Sequence, residues 1–154
     1  MKLIFRLVVL YLLFLIQTAV IRPQLDLVVL GLVIFCLHDT LMFSIILGVW
    51  CGILLGLVNP IHFGFHIIVL SFIAYACNNI RRYIYKYKSY FIGILLTAIM
   101  FKYILSLIFL GAQQSFVTWI LATLIIVLIA IPLENLTVKV FYKQWKMQVT
   151  ENSY

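Results

Sequence analysis

The residue in this chain most capable of chemistry is a lysine where lysines are costly. Lys102 sits in YFIGILLTAIMFKYILSLIFL, an otherwise apolar stretch. A lysine near the centre of a membrane-spanning helix costs about 2.5–3.5 kcal/mol on insertion scales, so it turns toward a partner or a cavity. At 1.5 Å per residue it lies about 12 Å from the far end of its helix. Asp26 is the acid nearest in depth and is reached by a snorkelling side chain, whereas Glu134 belongs to the opposite end of the last apolar run. An intramembrane polar contact between Lys102 and Asp26, or a contact between subunits, is favoured over transport chemistry.

Other reactive side chains form weaker patterns. His62 and His66 are one helical turn apart and suit two metal ligands, but no third ligand has diagnostic spacing and Gly64 between them marks a loop or helix start. The sequence therefore predicts no metal site. His38-Asp39 can be read as a proton-handling pair, although a polar turn at a membrane interface accounts for it as well. Cys36, Cys51 and Cys77 are scattered through apolar runs without CxxC spacing, which argues against a disulfide framework. A phosphate-binding glycine loop, a GxSxG elbow, an HExxH motif and a helically spaced carboxylate pair are all missing from the sequence. Neither catalysis nor a cofactor is expected, and Ser71, Asn78 and Asn79 read as interhelical or capping hydrogen-bond formers.

The elements that would position these residues are membrane helices. With 66% hydrophobic and 10% charged residues and a mean hydropathy of +1.21, the chain lies far outside soluble-domain composition. It reads as one transmembrane domain over 1–154. Its basic end, at about 134–154, is either a short cytoplasmic helix along the headgroups or a frayed tail. The N-terminus has Lys2 and Arg6 around a long apolar run, but Thr18-Ala19-Val20 is a poor cleavage site, so a retained first helix is expected.

Apolar runs at 3–21, 25–37, 41–58, 63–80, 90–110 and 116–133 approach the ~20 residues that a span needs. The second is short: it crosses only if Pro23 and the His38-Asp39 turn lie within the membrane boundary, and otherwise is half-inserted. Arg22-Pro23, Asn59-Pro60, the basic stretch 81–89 and 111–115 separate the runs. Six spans put Lys2, Arg6, Arg81, Arg82, Lys86, Lys88, Lys139, Lys143 and Lys146 on one side, so both termini are expected in the cytoplasm. The net charge of +7 flanks spans beside interfacial tyrosines. That pattern fits lipid headgroups and not nucleic acid.

Within the third run Ser44, Gly48, Gly52 and Gly56 recur every fourth residue, on one helix face. Small residues there let another backbone approach closely, which in lipid is a principal source of helix association.

The order Arg22-Pro23, apolar helix, Gly48/Gly52, short turn, Gly64 and a span ending near Ala74-Tyr75 resembles the MreD family of bacterial rod shape-determining membrane proteins. The local motif covers about 22–82; size, span pattern and the basic C-terminal end extend the likeness over most of the chain. Where MreD proteins commonly carry an aspartate after Gly-x-x-x-Gly and three apolar residues, this sequence has Gly56. The departure puts a polar contact there in doubt and lengthens the close-packing face.

The resemblance implies an all-α integral membrane protein of six transmembrane helices, similar in architecture to the substrate-binding subunits of energy-coupling-factor transporters. It also implies a multi-pass protein of the bacterial cytoplasmic membrane and a non-enzymatic partner of MreC. Through MreC it would act indirectly with the MreB filament and the elongation polymerase and transpeptidase of peptidoglycan synthesis. The small-residue stripe is then expected to receive a helix of MreC or of a second copy. The alternative reading is a vitamin-capture subunit of such a transporter. The run 3–21 lacks an Ala-x-x-x-Ala docking pattern, but Asp26, Asn59, His62, His66, Gln113 and Gln114 could line a polar pocket.

Overall fold

A ten-residue helix without a polar side chain, LVVLGLVIFC, occupies the centre of the molecule. The structure, a computed structural model, describes residues 2–19, 26–58, 60–84, 90–111 and 118–133. Its order is α1 (Lys2–Ala19), α2 (Leu27–Cys36), α3 (Leu41–Val58), a 3₁₀ turn (Pro60–His62), α4 (Phe63–Ile84) and α5 (Tyr90–Leu110). A sixth helix, α6 (Thr118–Leu133), follows. Among the described residues there is no strand.

Three of these segments, Leu41–Val58, Pro60–Ile80 and Phe91–Phe109, are long and apolar enough to cross a membrane; the other apolar helices are shorter. The shortfall is greatest at the second expected span. At 1.5 Å per residue α2 is about 15 Å long, half of a ~30 Å hydrocarbon core. Leu27 to Ile34 and Cys36 are all buried, against α1, α3, α4 and α5. A helix apolar all round is stable only where neighbours surround it, and here they do. The run read at 25–37 is thus an interior helix with neighbours on every side.

Local chemistry sets the element boundaries. Pro60, which lacks an amide hydrogen, begins the turn into α4. Gly111 has a φ of 57° and closes α5 in the left-handed conformation that glycine adopts freely. Inside the helices, the hydroxyls of Thr18, Thr97 and Thr123 each donate to the carbonyl four residues back, at 2.8–2.9 Å. That bond satisfies a polar group where water is scarce. The outer faces are apolar: Phe5, Val8, Ile104, Ile108, Leu124 and Leu128 are all exposed.

The α3–α4 contact depends on the small-residue stripe. A Cβ on Gly48 would lie 2.8 Å from the Leu70 carbonyl oxygen and 2.9 Å from Ser71 Cα. On Gly52 it would overlap Ile67 Cα and sit 2.8 Å from Ile67 N; on Gly56 it would run into the Phe63 ring. Ser44, at the head of the stripe, is fully buried. The face expected to receive a helix of MreC or of a second copy is covered in this chain by α4, with backbone against Gly48 and Gly52 and the Phe63 ring against Gly56. A second close approach joins α2 to α1, where a Cβ on Gly31 would lie 2.6 Å from Leu13 Cδ1. Stacked rings join the later helices, Phe72 with Phe101 at 5.3 Å and Tyr103 with Trp119 at 4.5 Å.

The two kinds of glycine should separate in thermal unfolding of the detergent-solubilised protein. Gly52→Ala is expected to destabilise by about 1–3 kcal/mol or more through overpacking against backbone. Gly93, where an added Cβ would meet nothing within 4 Å, should tolerate alanine or gain up to about 1 kcal/mol from helix propensity.

Candidate functional site: the two ends of a buried helix

A helix leaves its first amide hydrogens and last carbonyls without intrahelical partners, and away from water each needs a substitute. α2 has a side-chain substitute at each end, supplied by α1 and by α4.

At the N-terminal end, Gln17 of α1 is buried, and its Oε1 accepts the Val28 amide hydrogen at 3.1 Å. The carbonyl of Asp26 accepts the amide of Leu30 at 3.1 Å. The Asp26 side chain does not cap the helix; it forms an ion pair with Lys102 Nζ of α5. A carboxylate here also complements the positive end of the helix dipole. His66 on α4 is half-buried within the field of Lys102, His62 and Asp26.

At the C-terminal end the amide nitrogen of Asn78, from α4, gathers three acceptors. It donates to the carbonyls of Cys36 at 3.3 Å and Asp39 at 2.7 Å, and to Ser44 Oγ at 3.1 Å. With two hydrogens for three acceptors, the donation is shared. Ser44 Oγ donates onward to the Thr40 carbonyl at 3.1 Å, and Cys36 Sγ lies 3.9 Å from the Ser44 carbonyl oxygen. Arg6 of α1 completes the end. Its guanidinium pairs with the Asp39 carboxylate and lies 5.8 Å from the Phe35 ring centroid, a cation–π distance.

Lys102 and Asp26, the two residues whose depth points to an intramembrane contact, are together in one ion pair. The other pair has no such signature in the sequence. Arg6 reads as a flanking positive charge and Asp39 as half of a turn with His38, yet the two bury each other. The available signal is the position of Arg6 inside LIFRLVV, where its neighbours on either side are all apolar. Asn78, expected to make an interhelical or capping bond, does both. Ser71 is expected to hydrogen-bond, yet its hydroxyl is buried with no partner among the described residues.

His62 and His66 belong to no group of three or more possible metal ligands among the described residues. Gly64 has open space around it. The three cysteines are free and buried. Arg22, Pro23, Asn59, Gln113, Gln114 and the basic segment 134–154 lie outside the described residues.

The arrangement is a set of charges and dipoles committed to one another. Its chemical capacity is to hold four helices in register around α2, at an energy set by desolvation. Breaking one partner of a buried pair costs about 3–5 kcal/mol, although the intact pair adds little over an apolar substitute. Comparison with protein-family models, with characterised proteins and with solved structures returns no match to this chain.

Two neighbours on α4 provide a check by chemical denaturation in micelles. Asn78→Leu strips the Cys36 and Asp39 carbonyls of their side-chain donor and should cost about 2–3 kcal/mol. Ser71→Ala removes a buried hydroxyl that has no partner among the described residues and should leave stability unchanged or raise it slightly.

Proposed function

We propose that this chain is a non-enzymatic membrane scaffold of the MreD type, a partner of MreC in bacterial cell elongation. The observation that carries the reading is the inward commitment of its polar groups. Asp26, Lys102, Arg6, Asp39, Gln17, Ser44 and Asn78 join helices of this chain to one another. A capture subunit would instead need such groups converging on a ligand cavity. What the molecule presents to its surroundings is apolar helix surface, the kind of face on which another membrane helix packs.

The motif from Arg22-Pro23 through Gly64 to Ala74-Tyr75 supplies the identity of the partner, by resemblance alone. Because α4 occupies the stripe, MreC would meet the exposed faces of the bundle and not Gly48 or Gly52. The same reading gives the chain six membrane passages with both termini in the cytoplasm. It relies on the lysine and arginine bias of the connecting segments and on α2 passing through the bundle sheltered from lipid.

Tagged protein purified from its native membrane should retain MreC, and its depletion should turn rod-shaped cells round. Purification without MreC, but with a bound vitamin that raises the unfolding temperature, would replace this reading with the capture-subunit one. Gly52→Leu should lower the amount of folded protein in the membrane. If it instead left that amount unchanged and abolished MreC retention, the stripe would be the partner surface after all.

A further inference from the structure

By its own composition α2 is a poor membrane segment. Eight of its ten residues are leucine, valine, isoleucine or phenylalanine, but an aspartate stands beyond each end. Asp26 and Asp39 are 13 positions apart. At 1.5 Å per residue that is about 20 Å, too little to bring both carboxylates to opposite interfaces of a ~30 Å hydrocarbon core. On insertion scales one aspartate at mid-depth offsets roughly six such apolar side chains. Two aspartates against eight apolar residues leave the bilayer alone no reason to hold α2. The compensating groups lie on both sides of it in the chain. Arg6, which pairs with Asp39, precedes α2. Asn78, which bonds the Cys36 and Asp39 carbonyls, follows it, and so does Lys102, 76 residues after its partner Asp26. Synthesis runs from the N-terminus, so α2 is made while Asp26 still has no α5 to meet. α5 has no such dependence. Phe91–Phe109 is long and apolar enough to cross a membrane, and a lysine left alone there can snorkel.

We propose that α2 is a conditional membrane segment, brought to its interior place by Lys102 when α5 inserts. Until then the stretch from Asp26 to Asp39 stays at the membrane surface. Only a chain complete through α5 has its central helix inside, so the bundle closes around α2 last. The inference rests on the proposed passage of α2 through the bundle. It also sets the two partners of the ion pair apart. Without Lys102 the Asp26 carboxylate keeps α2 out, whereas without Asp26 the helix no longer needs a cation and the lysine snorkels.

Val33 of α2 and Cys51 of α3 make this measurable, since both are fully buried. Two full-length chains, each with one cysteine, would be labelled by a membrane-impermeant maleimide in membranes opened to expose both faces. One keeps Cys51; the other carries Val33→Cys with Cys51→Ala; both carry Cys36→Ala and Cys77→Ala. With Lys102 in place both thiols should be protected. Adding Lys102→Met is expected to accelerate position 33 by at least about tenfold and Cys51 by less than about twofold. Asp26→Leu, alone or with Lys102→Met, should leave position 33 protected. Protection of position 33 in the Lys102→Met chain would overturn the proposal. So would its release by Asp26→Leu to the same extent, because a pair that merely braces the folded bundle suffers equally from the loss of either partner. Equal acceleration of position 33 and Cys51 would overturn it too, since the whole bundle and not α2 would then need the lysine. Labelling of position 33 with Lys102 intact would remove the passage of α2 through the bundle on which the proposal rests.

Discussion

A buried helix shorter than the surrounding apolar layer must have both of its ends satisfied inside the protein. That constraint organises this molecule. α2 carries no polar side chain of its own between Leu27 and Cys36, so its free amides and carbonyls depend on residues from other helices. Gln17 of α1 and Asn78 of α4 bond its backbone directly, while Lys102 of α5 and Arg6 of α1 pair with the aspartates that flank it. Each is a polar residue whose burial would be costly alone, and each is tolerated because α2 or its flanking aspartates need it. The charges are also placed with the helix dipole, the acid at the amide end and Arg6 near the carbonyl end.

Around this centre, α3 and α4 form the closest helix pair. Their backbones approach until no methyl group fits at Gly48 or Gly52. This contact and the polar anchoring of α2 are coupled through Ser44 and Asn78, which face each other across the same two helices. Close packing brings Asn78 within reach of the α2 carbonyls, and those carbonyls in turn give the asparagine a reason to be buried. Lipid-facing surface, by contrast, is left to apolar side chains that need no such partners.

Much of this is legible in the sequence, and the gaps have physical causes. Lys102 announces a partner because its insertion cost is large; depth makes Asp26 a nearer acid than Glu134 but does not by itself choose it over a contact between subunits. The four-residue spacing of Ser44, Gly48, Gly52 and Gly56 requires a close helix neighbour, but spacing carries no information about whether that neighbour belongs to the same chain. Arg6 is hidden because a basic residue near a chain start has a sufficient explanation in membrane orientation. The bond from Asn78 to Cys36 spans 42 residues, and no local pattern encodes such a pairing. α2 is the hardest element to place: hydropathy scores its apolar character without distinguishing lipid from protein as the surrounding medium.

The most direct test of this account is a double-mutant cycle at each end of α2, read by reversible unfolding in micelles. Arg6→Met and Asp39→Asn form one cycle, Lys102→Met and Asp26→Asn the other. The account predicts that single neutralisations each cost about 3–5 kcal/mol and that each double variant recovers much of the loss. Losses that simply add at both ends would contradict it, since neither ion pair would then couple α2 to the helix across from it.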